Sequence, residues 1–433
     1  MAKIDLSPAA SFPIGSAVEA DTFVRGLLLA AVVLLAWISF RPFENLAAAP
    51  EVTSAGNLAN QIGYSLLFAL LAAWCLVHHP GRLKVLLRPV VVVTLLWFAL
   101  SVVTSWEPSL AARRLAFTLV TLGIAAMALL LPKNVRQFSD VLAAAVLIVL
   151  AACYLGVLLV PNLAIHQATD FVAPELAGDW RGVFSHKNQA SATMAMFVFI
   201  GLFVARVRSV GLGGLICLLA AIFLLFTQSK TSIAVLPITL VVSALLARIR
   251  RPAVGMTLAF SAVVFFNVFS VGSIYLEPVR KLLDLILPDA SFTGRTEIWE
   301  FALRHVTERP ITGHGFAAFW GTNEVVYGMG TSSAWANVAA HAHNDYLNLA
   351  LTIGIPGSAL VTLWLVLLPI VDFYRAPNEP AAAALKLLFV RVCLFSAYAS
   401  CFESMLIQEG MLGFFLFMAA FGLRFLSRSR LTP

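Results

Sequence analysis

Charge is scarce in this chain. Only 12% of its 433 residues are Asp, Glu, Lys or Arg, against about a quarter in an ordinary soluble domain, while 60% are hydrophobic. That shortage excludes a globular fold wetted on every side. Cysteine spacing is equally uninformative of chemistry. Cys75, Cys153, Cys217, Cys393 and Cys401 form no CxxC pair and sit in or beside apolar runs, so they read as core packing. Alternation is missing too. The runs 89–104 and 141–161 are continuously apolar, where barrel strands would alternate.

The apolar residues instead fall in blocks of about 17–23, the length of a helix that crosses a hydrocarbon core of about 30 Å. Spans are expected near 24–40, 58–77, 89–105, 114–131, 139–161, 189–205, 211–227, 231–247, 253–272, 346–371, 383–400 and 410–426. The fold class is therefore an all-α polytopic membrane protein with about twelve transmembrane helices. Arg25 and the Ala47-Ala48-Ala49 run resemble parts of a signal peptide, but the run lies well beyond the apolar stretch. The first helix is taken as uncleaved.

Basic residues are retained on the cytoplasmic side of short loops. Arg82, Lys84 and Arg88, Lys133 and Arg136, Arg206 and Arg208, Arg248, Arg250 and Arg251, and Arg424, Arg428 and Arg430 all fall on one side. The expected order is a cytoplasmic tail 1–23, membrane helices 24–161, an outer loop 162–188, membrane helices 189–272, a large outer loop 273–345, membrane helices 346–426 and a cytoplasmic tail 427–433. The net charge of +7 is this topological bias plus attraction to lipid, and no argument for nucleic acid.

Ionisable groups are nearly absent from the spans, with Arg391 inside one and Glu403 at a boundary. A carrier of ions or protons keeps such groups near its midplane, so their scarcity weighs against a transporter. No internal repeat of the transporter kind is visible either.

Polar residues gather in three outer clusters. The first is WRGVFSHKNQAS at 180–191, where Asn188 is expected to cap the sixth span. Arg181, His186 and Lys187 stand at the positive end of that helix dipole, where they do not help the helix. Free N–H groups with Arg and Lys suit a phosphate or diphosphate. Headgroup snorkelling explains any one of them, whereas three on the disfavoured face favour anion binding.

The second cluster is GRTEIWEFALRHVTERP at 294–310, an amphipathic helix with Ile298, Trp299, Ala302, Leu303 and Val306 on its apolar stripe. Glu300, Arg304 and Glu308 are spaced for i,i+4 pairs, Thr293 is the expected cap, and Pro310 ends the helix. Arg295, in the first turn, is a second anion-binding candidate; Arg304 and Arg309 are expected to have structural partners. Gly313 and Gly315 mark a turn.

The third cluster is HAHNDYLNLALTIGIPG at 341–357. Asn344 caps the next span and Asp345 suits its dipole, which leaves His341 and His343 at the water-facing lip. A neutral imidazole there can act as a general base. Zinc is a lesser rival, since HxHxD is not HExxH and a third ligand would have to come from elsewhere; two histidines without a role remain the bland alternative. Gly354, Pro356 and Gly357 are expected to kink the helix or admit a close neighbour. Arg113 and Arg114 at the fourth span, and the tight turn Gln228-Ser229-Lys230, are placed to border the same cavity, although headgroup snorkelling is the better explanation of each taken singly.

In this order, RGVFSHKN, GRTEIW, the GHGF turn at 313–316 and HAHNDYL resemble the O-antigen ligase and polymerase superfamily, and within it the ExoQ-like exopolysaccharide polymerases. The resemblance covers chiefly residues 180–370. It implies a GT-C-like membrane enzyme of the bacterial inner membrane with short amphipathic helices in a large periplasmic loop and both termini cytoplasmic. It also implies glycan transfer from an undecaprenyl-diphosphate-linked oligosaccharide donor to a glycan acceptor at the periplasmic face, without metal, cofactor or nucleotide sugar. Carried over, Arg181 and Arg295 hold the diphosphate and His343 assists the acceptor. Lys187, His186, Asn188, His341, Asn344, Arg114 and Lys230 would line the substrate site. Chain-length regulator and export proteins are further partners it suggests, beside the lipid bilayer. A ligase acting on lipid A-core of lipopolysaccharide is the near alternative; a flippase of lipid-linked oligosaccharide is the distant one.

Overall fold

The computed structural model describes residues 14–38, 42–47, 58–171, 173–286, 292, 294–322, 325, 339–407 and 411–428. Fourteen helices carry the description: α1 (Ile14–Ile38), α2 (Leu58–His78), α3 (Pro89–Val103), α4 (Pro108–Ala128), α5 (Val135–Leu159), α6 (Lys187–Val207), α7 (Val210–Phe226), α8 (Lys230–Arg248), α9 (Pro252–Phe269), α10 (Glu277–Ile286), α11 (Arg295–Glu308), α12 (Asp345–Arg375), α13 (Pro380–Ala399) and α14 (Met411–Arg428). Local chemistry sets many of their starts. Proline occupies the first turn of α3, α4, α9 and α13, where its missing N–H costs nothing. Asn134 caps α5 by accepting from Gln137 N, and Ser209 caps α7 by accepting from Leu212 N.

Nine helices among the described residues are long and apolar enough to cross a membrane, and the protein is a polytopic membrane protein. Of the twelve expected spans, the other three coincide with two shorter apolar helices, α3 of 15 residues and α7 of 17, and with α14. Helix α1 begins inside the expected tail 1–23, and two short helices, α10 and α11, lie within the range 273–345.

Helices α6 and α13 form the centre, with most of their side chains buried. Helices α2 and α9 lie outside and present Leu66, Leu70, Val264 and Phe265 away from the protein, as a lipid-facing surface does. Glycines let α6 and α7 touch: a Cβ at Gly201 would stand 2.8 Å from Gly213 O, and one at Gly213 would stand 2.4 Å from Gly201 O. At the end of the bundle that carries the basic loops, buried Asp372 accepts from Arg88 and, at 2.8 Å, from Ser427 Oγ, which joins α12 to α14 and to the residue preceding α3.

At the other end α12 is broken. Gly354 takes φ 73° and ψ 168°, so the carbonyls before it lose their helical donors. A hydrocarbon environment offers no water to replace them. The turn at 313–316 supplies the replacement: His314 N donates to Leu351 O at 3.0 Å and Gly315 N to Thr352 O at 2.8 Å. Trp97 Nε1 donates to Ile353 O at 2.8 Å, while Ile355 N donates to Pro310 O at 2.8 Å. The expected kink is present, and the Gly-rich turn exists to satisfy it.

Replacing Gly354 by Ala puts a Cβ 1.9 Å from Ile311 O at a left-handed φ, whereas the same change at Gly321 (φ 72°) meets nothing within 4 Å. The first change is expected to cost about 2–5 kcal/mol and the second about 1–2. Thermal melting of the two detergent-solubilised variants checks the difference; equal melting temperatures would refute the close approach.

Candidate functional site

The chain entering α6 is pinned through its backbone. Arg181 N and Gly182 N both donate to Ala164 O at 2.9 Å, and Trp180 stacks on Phe226 with ring centroids 4.3 Å apart. Helix α6 starts at Lys187, and its cap is His186, whose Nδ1 accepts from Asn188 N at 3.1 Å. Asn188 is therefore not the cap that its residue type suggests. Its amide is free for other work: Nδ2 donates to Glu403 Oε1 at 2.9 Å, and Oδ1 accepts from Ser229 Oγ at 3.3 Å.

Arg295 opens α11 behind Gly294, which takes φ 79° and provides no side-chain cap; the expected cap, Thr293, lies outside the described residues. The Arg295 guanidinium donates from NH2 to Glu403 Oε1 at 2.7 Å and from NH1 to Phe402 O. Trp299, fully buried one turn on, donates Nε1 to Ala342 O at 2.9 Å and so holds the histidine loop against α11. On the opposite face Glu308 lies 4.0 Å from His305 Nε2, in place of the expected pairing with Arg304.

The HAHND segment does two things. Asn344 caps α12 as expected, accepting from Leu347 N at 3.0 Å, and its Nδ2 donates to Cys401 O and to Asn267 Oδ1, both at 2.9 Å. The Asp345 carboxylate accepts from Met405 N and Leu406 N. Together they clasp the segment 400–406 that carries Glu403. His343 then sits at φ 50°, a left-handed conformation that costs a non-glycine residue about 1–3 kcal/mol, with Nδ1 3.4 Å from Glu403 Oε2. Its ring packs 4.2 Å from that of His341, and 30% of its side chain is exposed.

One buried carboxylate thus gathers a residue from each cluster: Asn188, Arg295 and His343. Burial by itself would raise the pKa of Glu403; Arg295 first, then His343, hold it well below the usual carboxylate range. Burial pushes His186 down to about 4 and His341 down to about 3, so both are neutral near pH 7. His341 Nδ1 accepts from His343 N at 3.2 Å, which puts its proton on Nε2.

The remaining expected residues lie elsewhere. Arg181 is 1% exposed, donating to Phe184 O at 2.9 Å and Glu44 O at 2.7 Å, so its guanidinium is turned into the loop. Lys187 pairs with Asp179 at 2.5 Å, and the Arg114 guanidinium donates to Ala317 O. Lys230 is exposed at the start of α8, one residue after Ser229, which bonds Asn188. Among the described residues no group of three His, Cys, Asp or Glu side chains is placed to hold a metal ion. Glu403 is the residue that sequence reasoning underrated. Its signal was an acidic side chain directly after an apolar helix, with no basic neighbour in sequence.

Residues 215–362 match the model of the O-antigen ligase family. The chain is 31% identical over 196 residues to the exopolysaccharide production protein ExoQ of Rhizobium meliloti (strain 1021), a match covering 43% of this chain and 45% of that protein. The chain therefore spans less than half the length of this curated relative. The family match contains Arg295 and His343, and Asn188 and Glu403 lie on either side of it.

Removing Arg295 leaves a buried carboxylate without its principal counter-charge, so Arg295→Ala is expected to destabilise the protein by about 3–5 kcal/mol. Adding Glu403→Gln should restore part of that loss. A double-mutant cycle on thermal or denaturant unfolding measures the coupling; additive effects would show that the pair carries none.

Proposed function

We propose that this protein is a glycosyltransferase of exopolysaccharide assembly, joining glycan from an undecaprenyl-diphosphate carrier to a sugar hydroxyl at the periplasmic membrane face. What carries the reading is the meeting of Asn188, Arg295 and His343 on the Glu403 carboxylate. The acceptor oxygen attacks the anomeric carbon, the bond from that carbon to the diphosphate oxygen breaks, and the electron pair leaves with the diphosphate. The hydroxyl proton passes to His343 Nε2, while Nδ1–H faces Glu403, which fixes the tautomer and steadies the imidazolium that forms. Arg295, 19% exposed, turns its outer edge to the leaving diphosphate. The diphosphate leaves as a stable anion and needs no proton. A single displacement inverts the anomeric centre.

Arg181 enters this reading as a positioning residue. Its two carbonyl bonds hold the loop that presents Asn188, and it contributes to diphosphate binding through that loop. The relative is named for exopolysaccharide production and the family for O-antigen ligation, and this reading takes polymerisation first, with a ligase that passes glycan to lipid A-core as the alternative. The donor half-reaction is common to both, and the acceptor separates them.

The test is turnover of lipid-linked repeat units by reconstituted protein. His343→Ala should lose about 10²–10⁴-fold in rate per folded molecule. Arg295→Lys should retain the charge but lose the two-pronged fit, lowering turnover while Glu403 stays paired. Arg181→Ala should lower folded yield more than specific activity, because it leaves two carbonyls unpaired at about 1–3 kcal/mol each. Product growing by whole repeats supports the polymerase, and transfer to lipid A-core supports the ligase. Full activity in His343→Ala would sink the mechanism.

A further inference from the structure

Helix α10 follows α9 after a break at Ser270, where φ is −99° and ψ −97°, and a short 3-10 turn, Val271–Ile274. Its ten residues, EPVRKLLDLI, divide into three arcs. Leu283, 8% exposed, and half-buried Val279 face the protein. Glu277, Arg280, Lys281 and Asp284 form a polar arc, with Lys281 Nζ 2.9 Å from Glu277 Oε1. The third arc is apolar and bare: Leu282 is 42% exposed, Leu285 84% and Ile286 65%.

An apolar arc of this kind standing in water is costly, at about 25 cal/mol for each Å² left wet. The surface on either side identifies what covers it. Val264 and Phe265 on α9 belong to the lipid-facing surface, and Tyr275 and Leu276 at the junction are 70% and 45% exposed. A bare tyrosine between a lipid-facing helix and an amphipathic one has the character of an aromatic belt at headgroup level. The bare arc of α10 is thus continuous with a surface that already meets lipid.

We propose that α10 is an interfacial helix lying on the bilayer, with Leu282, Leu285 and Ile286 entering the boundary between headgroups and acyl chains. The polar arc of Arg280 and Asp284 then faces water. The first residue of α11, Arg295, follows the last residue of α10 by nine positions, so α10 would set how far from the bilayer Arg295 can stand. The proposal concerns depth in the membrane, and stands whether or not the glycosyltransferase reading does.

The experiment places spin labels on single cysteines in the full chain, in vesicles of phosphatidylethanolamine and phosphatidylglycerol. The background carries Cys217→Ser, the other four cysteines being buried. Labels go to Leu285→Cys and Leu282→Cys, with Glu300→Cys on the exposed face of α11 as the aqueous reference and Leu96→Cys on α3 as the lipid reference. Power saturation compares collision with oxygen, which partitions into lipid, against a water-soluble nickel chelate. Expected is an oxygen-to-nickel ratio well above that of the Glu300 label and below that of Leu96, at a depth of about 5–10 Å. Labels at 282 and 285 as open to nickel as the Glu300 label would place α10 in water and overturn the proposal. Labels shielded from both reagents would show the arc covered by protein and overturn it equally.

Discussion

A carboxylate withdrawn from water costs several kcal/mol unless donors stand where it is buried. Glu403 meets that condition with an amide, a guanidinium and an imidazole drawn from three separate stretches of chain. Two oxygens can accept all three partners, so one side chain fixes the starts of α6 and α11 and His343, two residues before α12, relative to one another. The dependence runs both ways. Glu403 stays ionised chiefly because Arg295 and His343 stand beside it, and its partners are held in place by the same carboxylate.

A second constraint acts on the backbone. Breaking α12 at Gly354 inside a hydrocarbon layer is tolerable only because the 313–315 turn and Trp97 take over the abandoned carbonyls. That repair sews the large loop to the bundle just below the histidines. Both the floor of the site and its carboxylate centre are therefore built from contacts distant in sequence.

This distance marks the boundary of what was legible in the chain. Apolar runs revealed the helices, and the capping preference of Asn344 and the kink at Gly354 were readable because each is a local event. The partner of a charge is not local. Glu403 lies 60 residues from His343, 108 from Arg295 and 215 from Asn188, and no periodicity links them. The same limit explains the two residues whose surroundings differ most from expectation. Asn188 has the chemistry of a cap, yet His186 reaches the free N–H first. Arg181 has the charge of an anion ligand, yet two backbone carbonyls lie within its reach in the folded loop.

The order of those residues along the chain has a consequence for biogenesis. Asn188, Arg295 and His343 all leave the ribosome before Glu403. At about 5–20 residues per second, Arg295 waits roughly 5–20 s for the anion that neutralises it. During that interval the earlier helices can already be threaded into the membrane, while the loops that face one another lack a common anchor. Assembly of this cluster thus waits for residue 403, and a nascent chain stalled ahead of it would hold embedded helices with Arg295 still lacking its counter-charge.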